Sequence, residues 1–145
     1  MHNISNNVIE NLYAPAMPTA NFYAILATGH YIQILNTYVK NLSAYTGIYA
    51  KSSDLLIKGN TLLNAGAKSS ICVKNNPLRR PDDGGTDYDS IVVEDNIISS
   101  SIDAVEGGVL NFSGNYVNTK EALINRLFYM GGMTLNMNDN TIISQ

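Results

Sequence analysis

The stretch KNNPLRRPDDGGTDYDS (74–90) gathers the residues best suited to chemistry: four aspartates, two arginines and a tyrosine set among prolines and glycines. Asp82, Asp83, Asp87 and Asp89 are the candidate catalytic groups, because cleaving a glycosidic bond takes one carboxyl as acid and another as base or nucleophile. Inversion needs the pair roughly 6.5–9.5 Å apart and retention about 5–5.5 Å, a distance that chain spacing does not fix. Arg79 and Arg80 suit a sugar carboxylate, which a guanidinium grips through two parallel hydrogen bonds, and Tyr88 adds a ring beside them. The same aspartates offer oxygen ligands of the kind Ca²⁺ takes. DDGGTDYD nevertheless lacks the closing Glu and regular ligand alternation of a calcium loop, so no cofactor is expected. The competing reading is a solvated turn whose charges pair locally.

Tyrosine is the second chemical signal, with nine Tyr and no Trp. Tyr49 and Tyr129 stand next to Ile48 and Phe128 on strands read as equivalent, with both rings outward, and Tyr23 and Tyr31 flank another coil. Flat, rigid rings carrying a hydroxyl make glycan platforms at low entropic cost. Tyrosine also favours strands for its own sake, so an ordinary sheet surface or a subunit interface is the alternative.

The elements that would position these residues announce themselves as a repeat. LLIKGNTLLN (55–64) has an apolar residue five before Asn60, another three before it and a third two after it: Leu55, Ile57 and Leu62. Asn96, Asn115 and Asn140 anchor three more copies, Thr37 a fourth with Thr in the corner, and Asn7 a partial one with His2 in the first apolar place. Alternation before the corner predicts a strand with every second side chain inward. The anchors lie 30, 23, 36, 19 and 25 residues apart. Steps of that size are too long for hairpins and suit a chain that winds a solenoid, each coil burying its apolar face on the next. A third strand is expected about eleven residues past a corner, carrying Ile48 and Ala50, Ile71 and Val73, or Phe128 and Met130. Asn suits the corner because it tolerates the left-handed backbone region, and stacked amides can bond to one another.

Composition narrows the partners. Hydrophobic residues make up 45% and charged residues 14%, with a net charge of -3, which argues against nucleic acid or an anionic membrane surface. Cys72 is the one cysteine, so the chain forms no internal disulfide and no cysteine-built metal site. The first residues, MHNISNNVIE, lack the basic and apolar regions of a secretory signal, and no run of 18 apolar residues occurs.

The strand, strand, Asn-corner, strand pattern resembles the right-handed parallel β-helix of the pectate-lyase-like superfamily over residues 2–143. The expected fold is therefore all-β, a solenoid of about six coils in a single domain over 1–145, with 74–90 as a loop excursion. In texture, rich in Asn, Ser and Tyr with uneven turns, the chain is similar to the β-helix portions of bacteriophage tailspikes and capsule depolymerases. That resemblance implies recognition of bacterial surface polysaccharide, a homotrimer, and a place in a virion appendage or outside the cell. The arginine-centred motifs of the true pectate lyases are absent. No capping helix is visible next to Met1 or Gln145, so the coil is expected to be a segment of a longer helix, or to stack on itself or on another β-helix chain. Three functions remain in play: glycan recognition, polysaccharide cleavage by the loop aspartates, and a structural role through end-to-end stacking.

Overall fold

In the computed structural model, residues 2–11, 22–42, 46–52, 54–65, 69–75, 90–99, 102–105, 108–119, 128–131 and 134–144 are described. Within them the alternating segments form three parallel sheets, each gathering every third strand. The first sheet stacks β1 (His2–Ser5), β4 (Ile32–Leu35), β7 (Leu55–Lys58), β10 (Ser90–Glu94), β13 (Val109–Ser113) and β16 (Thr134–Asn138). The second stacks β2 (Val8–Glu10), β5 (Tyr38–Leu42), β8 (Thr61–Ala65), β11 (Ile97–Ile98), β14 (Tyr116–Thr119) and β17 (Thr141–Ser144). The third holds β3 (Tyr23–Gly29), β6 (Thr46–Ser52), β9 (Ser69–Asn75), β12 (Ile102–Val105) and β15 (Phe128–Gly131). This is an all-β, right-handed parallel β-helix. Of the third-sheet strands, β12 starts only six residues after Asn96, because the turn before it is shorter than the eleven-residue spacing expected from its neighbours. The excursion is also shorter than 74–90: Lys74 and Asn75 end β9, and Ser90 begins β10.

Register explains the core. Ile34, Ile57, Val93 and Phe112 are consecutive partners along the first sheet and have no exposed surface. Val39, Leu62, Ile98 and Val117 make the matching column on the second sheet, and Ile48, Ile71 and Ile102 on the third. β-Branched side chains recur because a pleated strand already holds them in their preferred rotamer. Burying each such side chain contributes about 1.5–3 kcal/mol. His2 takes the place above Ile32 that the repeat assigns to an apolar residue, and it is exposed. At the other end of the stack Met137 and Ile142, which continue the Phe112 and Val117 columns, are 40% and 42% exposed.

Between the first and second sheets the chain turns in two residues. The residue before each corner has positive φ: Asn6, Asn36, Gly59, Asp95, Gly114 and Asp139, between 50° and 66°. The corner residues themselves are absent from the positive-φ set, which corrects the expectation that the anchor Asn takes the left-handed conformation. Asn, Asp and Gly fill the preceding position because they enter that region most cheaply. The corner Asn is selected for its amide instead. Oδ1 of Asn60 accepts the Thr37 backbone N–H at 2.9 Å, and Oδ1 of Asn96 accepts the Asn60 backbone N–H at 2.9 Å and the Asn60 Nδ2 at 3.0 Å. Asn115 and Asn140 repeat this one coil at a time. Each Nδ2 also reaches back to the preceding coil: Asn60 to the Ile34 carbonyl, Asn96 to Ile57, Asn115 to Val93 and Asn140 to Phe112, at 2.8–3.0 Å. Asn60, Asn96 and Asn115 are 1% exposed, so these bonds satisfy groups that water does not reach.

A second, exposed column stands four residues past the corner. Asn11, Asn41 and Asn64 have φ of 49–55°. Asn41 Nδ2 donates to Asn11 Oδ1 at 3.3 Å, and Asn64 Nδ2 to Asn41 Oδ1 at 3.5 Å.

Two outcomes follow. Asn96→Ala strips the Asn60 N–H and the Ile57 carbonyl of buried partners and is expected to cost about 2–4 kcal/mol in urea unfolding, one desolvated group at each. Gly59, at φ +66°, should lose about 1–2 kcal/mol as Gly59→Ala through left-handed strain. Gly59→Asn should recover most of that, since Asn enters the region readily and the exposed Asn36 amide lying 2.6 Å from a built Cβ can swing aside.

Candidate functional site

On the third sheet the outward positions alternate with the inward Ile and Ala columns. Leu26, Tyr49, Cys72, Asp103 and Tyr129 hold consecutive register positions along this sheet. Tyr49 and Tyr129 therefore share one register position on the strands of this sheet. Cys72 and Asp103 stand between them, so the two tyrosines are three strands apart, about 14 Å at the usual strand spacing, and form no continuous aromatic row. Cys72 forms no disulfide and is buried. Tyr31 lies elsewhere, exposed just before β4 with φ 54°.

The aromatic partner of Tyr49 is Tyr23. Their ring centroids are 4.8 Å apart with a 44° tilt, inside the range in which aromatic pairs attract beyond simple area burial. Tyr23 opens β3 opposite Thr46, which brings its ring to the edge of the Tyr49 ring from the neighbouring strand. Lys74 Nζ lies 5.9 Å from the Tyr49 centroid, at cation–π range. Leu26, beside Tyr49 in the row, is 60% exposed. A tilted ring pair, an ammonium over one ring and an exposed aliphatic neighbour thus converge on three adjacent strands that the packed core holds rigid. Such a surface suits a ligand with apolar ring faces and polar edges.

Lysine placement was also legible in the repeat. Lys51 and Lys74 each stand fourteen residues past a corner, Thr37 and Asn60, and the sheet pairs them directly. Lys58 is different in kind. Its Nζ lies 2.8 Å from Glu94 Oε1 and 3.5 Å from Asp95 Oδ2 at the end of the first-sheet strands, and the Glu94 hydrogen bond raises its pKa. Those contacts make it a surface ion pair.

Arg79, Arg80, Asp82, Asp83, Asp87, Tyr88 and Asp89 lie outside the described residues. Among the described residues no group of three or more His, Cys, Asp or Glu is arranged to hold a metal ion, and no helix is long and apolar enough to cross a membrane.

No family model matches the chain, and no curated protein or solved structure matches it. The class defined by fold and surface is that of a parallel β-helix with an asparagine corner ladder.

Proposed function

We propose that this chain is a glycan-recognising β-helix segment that binds bacterial surface polysaccharide, as the β-helix portions of phage tailspikes and capsule depolymerases do. The observation that carries the reading is the Tyr23–Tyr49 ring pair on the outward face of the third sheet, with Lys74 over Tyr49. Sugar rings present C–H faces that pack on aromatic rings and hydroxyl edges that need donors and acceptors. A solenoid adds a physical reason of its own: its strands repeat every ~4.8 Å, close to the length of one sugar unit, so an extended glycan can meet equivalent positions on successive coils. In this reading the segment works within a homotrimer, or stacked on another β-helix, in a virion appendage or another extracellular structure. Any contribution to depolymerisation belongs to the aspartates of the 76–89 stretch.

Tyr49→Ala is expected to weaken binding to a responsive capsule or O-antigen polysaccharide by at least about tenfold, the loss of one well-stacked ring, in calorimetric titration. Its melting temperature should stay within a few degrees of the parent, because Tyr49 lies outside the core. Unchanged affinity across a polysaccharide panel that the parent binds would remove Tyr49 from the site and end this reading.

A further inference from the structure

We infer that copies of this chain dock head to tail, the β1–β2 coil of one copy seating on the β16–β17 coil of the next, with Asn7 closing the corner ladder across the junction. This surface is separate from the Tyr49 face and does not depend on glycan binding.

Inside the molecule, consecutive coils are joined at the corner by a fixed set of bonds, shown in full between Asn115 and Asn140. The Gly114 N–H donates to the Asn138 carbonyl at 3.1 Å and the Thr141 N–H to the Asn115 carbonyl at 2.9 Å. The Asn115 N–H donates to Asn140 Oδ1 at 2.9 Å, and Asn140 Nδ2 to the Phe112 carbonyl at 2.8 Å. One coil further on, the same groups recur with nothing on them: the Asp139 and Asn140 N–H groups and the Met137 and Asn140 carbonyls have no partner among the described residues. The strands that carry them, β16 and β17, pair on one side only, and an open strand edge is a template for another chain.

Asn7 holds the complement. Its Nδ2 donates to the Ser5 carbonyl two residues away, the same local bond that Asn60, Asn96 and Asn115 make beside their bonds to the coil before. Thr37 shows that a corner needs no amide in order to turn, since its hydroxyl makes that local bond to Leu35 instead. Asn7 therefore carries the side chain of the ladder, and among the described residues no coil lies before it to use it on.

The columns match in the same register. Continuing each sheet by one strand sets β1 on β16 and β2 on β17, which brings Ile4 onto Met137 and Ile9 onto Ile142. Met137 and Ile142 are 40% and 42% exposed, whereas Phe112 and Val117 in the same columns are fully buried; covering them gains apolar burial. On the outer side, Asn136 Nδ2 donates to Asn111 Oδ1 at 3.0 Å, and Asn3 falls where it can donate to Asn136 Oδ1 in the same way. Residues 3–9 thus supply the amide, the Ser5 carbonyl, the Val8 N–H and the apolar pair at the spacing that the β16–β17 coil requires, which makes a second copy the occupant. Two unlike faces joined in this way generate an open row, each copy adding six strand spacings, about 29 Å.

Sedimentation velocity of the full chain over a concentration series tests this. The average mass should climb past that of a pair as concentration rises. Asn7→Ala removes the amide from one end face and Ile142→Lys sets a charge on the other, and each should raise the dissociation constant by about tenfold or more. Both residues are exposed in the single copy, so each variant should melt with the parent when dilute. Mixed one to one, the two variants should associate again and stop at a pair, because each keeps the face that the other has lost. A parent of one mass at every concentration, whether a single copy or a closed complex, would overturn the inference. So would a rising mass that both variants preserve, or a mixture that forms no pair. The glycan reading is tested separately by Tyr49→Ala and survives any of these results.

Discussion

Where the chain leaves the first sheet for the second, backbone bonds still run from coil to coil through the N–H before the corner and the corner carbonyl, but the buried corner N–H turns to a side chain instead. The corner asparagine of the next coil supplies that side chain. Its amide carries an acceptor and two donors in one plane, so one side chain replaces a missing backbone N–H partner on the coil before it and a missing carbonyl partner as well. A buried ladder left open at this point would forfeit more than a hydrophobic column gains from one additional isoleucine. The left-handed residue in front of each corner is the geometric half of the same device, since it swings the chain sharply enough for the amides to stack.

Given that turn, the strands fall into register without further instruction. Each corner fixes the positions five before, three before and two after it, so the Ile, Leu, Val and Phe columns align from coil to coil. The uneven intervals between corners are absorbed elsewhere, at the turns flanking the third sheet. That sheet carries the Tyr49 face, so the most regular part of the molecule lies apart from the surface proposed to bind.

The repeat made the fold readable in detail: the anchors at Thr37, Asn60, Asn96, Asn115 and Asn140 mark the true corners, and Ile48, Ile71 and Phe128 do lie on third-sheet strands. Besides the spacing of β12 and the bounds of the excursion, the pattern misled at the corner itself. An Asn at a tight corner has two physical uses, left-handed backbone and a bridging amide, and composition alone does not separate them; the alternation of Asn, Gly and Asp one position earlier was the signal that does. The exposed amide column at Asn11, Asn41 and Asn64 was legible by the same counting, four residues past the first three corners. The site was harder to read. Tyr49 stands out through its residue type, but its ring partner Tyr23 aligns with Thr46 after a variable turn, and no fixed spacing links the two. Lys51 and Lys74 shared a spacing that could have been counted, yet lysines on outward positions look like ordinary solvated surface until register places them side by side.

The corner ladder also has a polarity. Each asparagine places its oxygen on the N–H of the preceding corner and its nitrogen on a carbonyl three residues before that corner. A coil is thus completed by the one that follows it in the chain, and every new coil docks on a template already in place. Read from the amino end, the Thr37, Asn60, Asn96 and Asn115 corners each present one N–H and, three residues earlier, one carbonyl, and the next corner asparagine closes both. Each coil can therefore be added on contacts with its immediate predecessor alone.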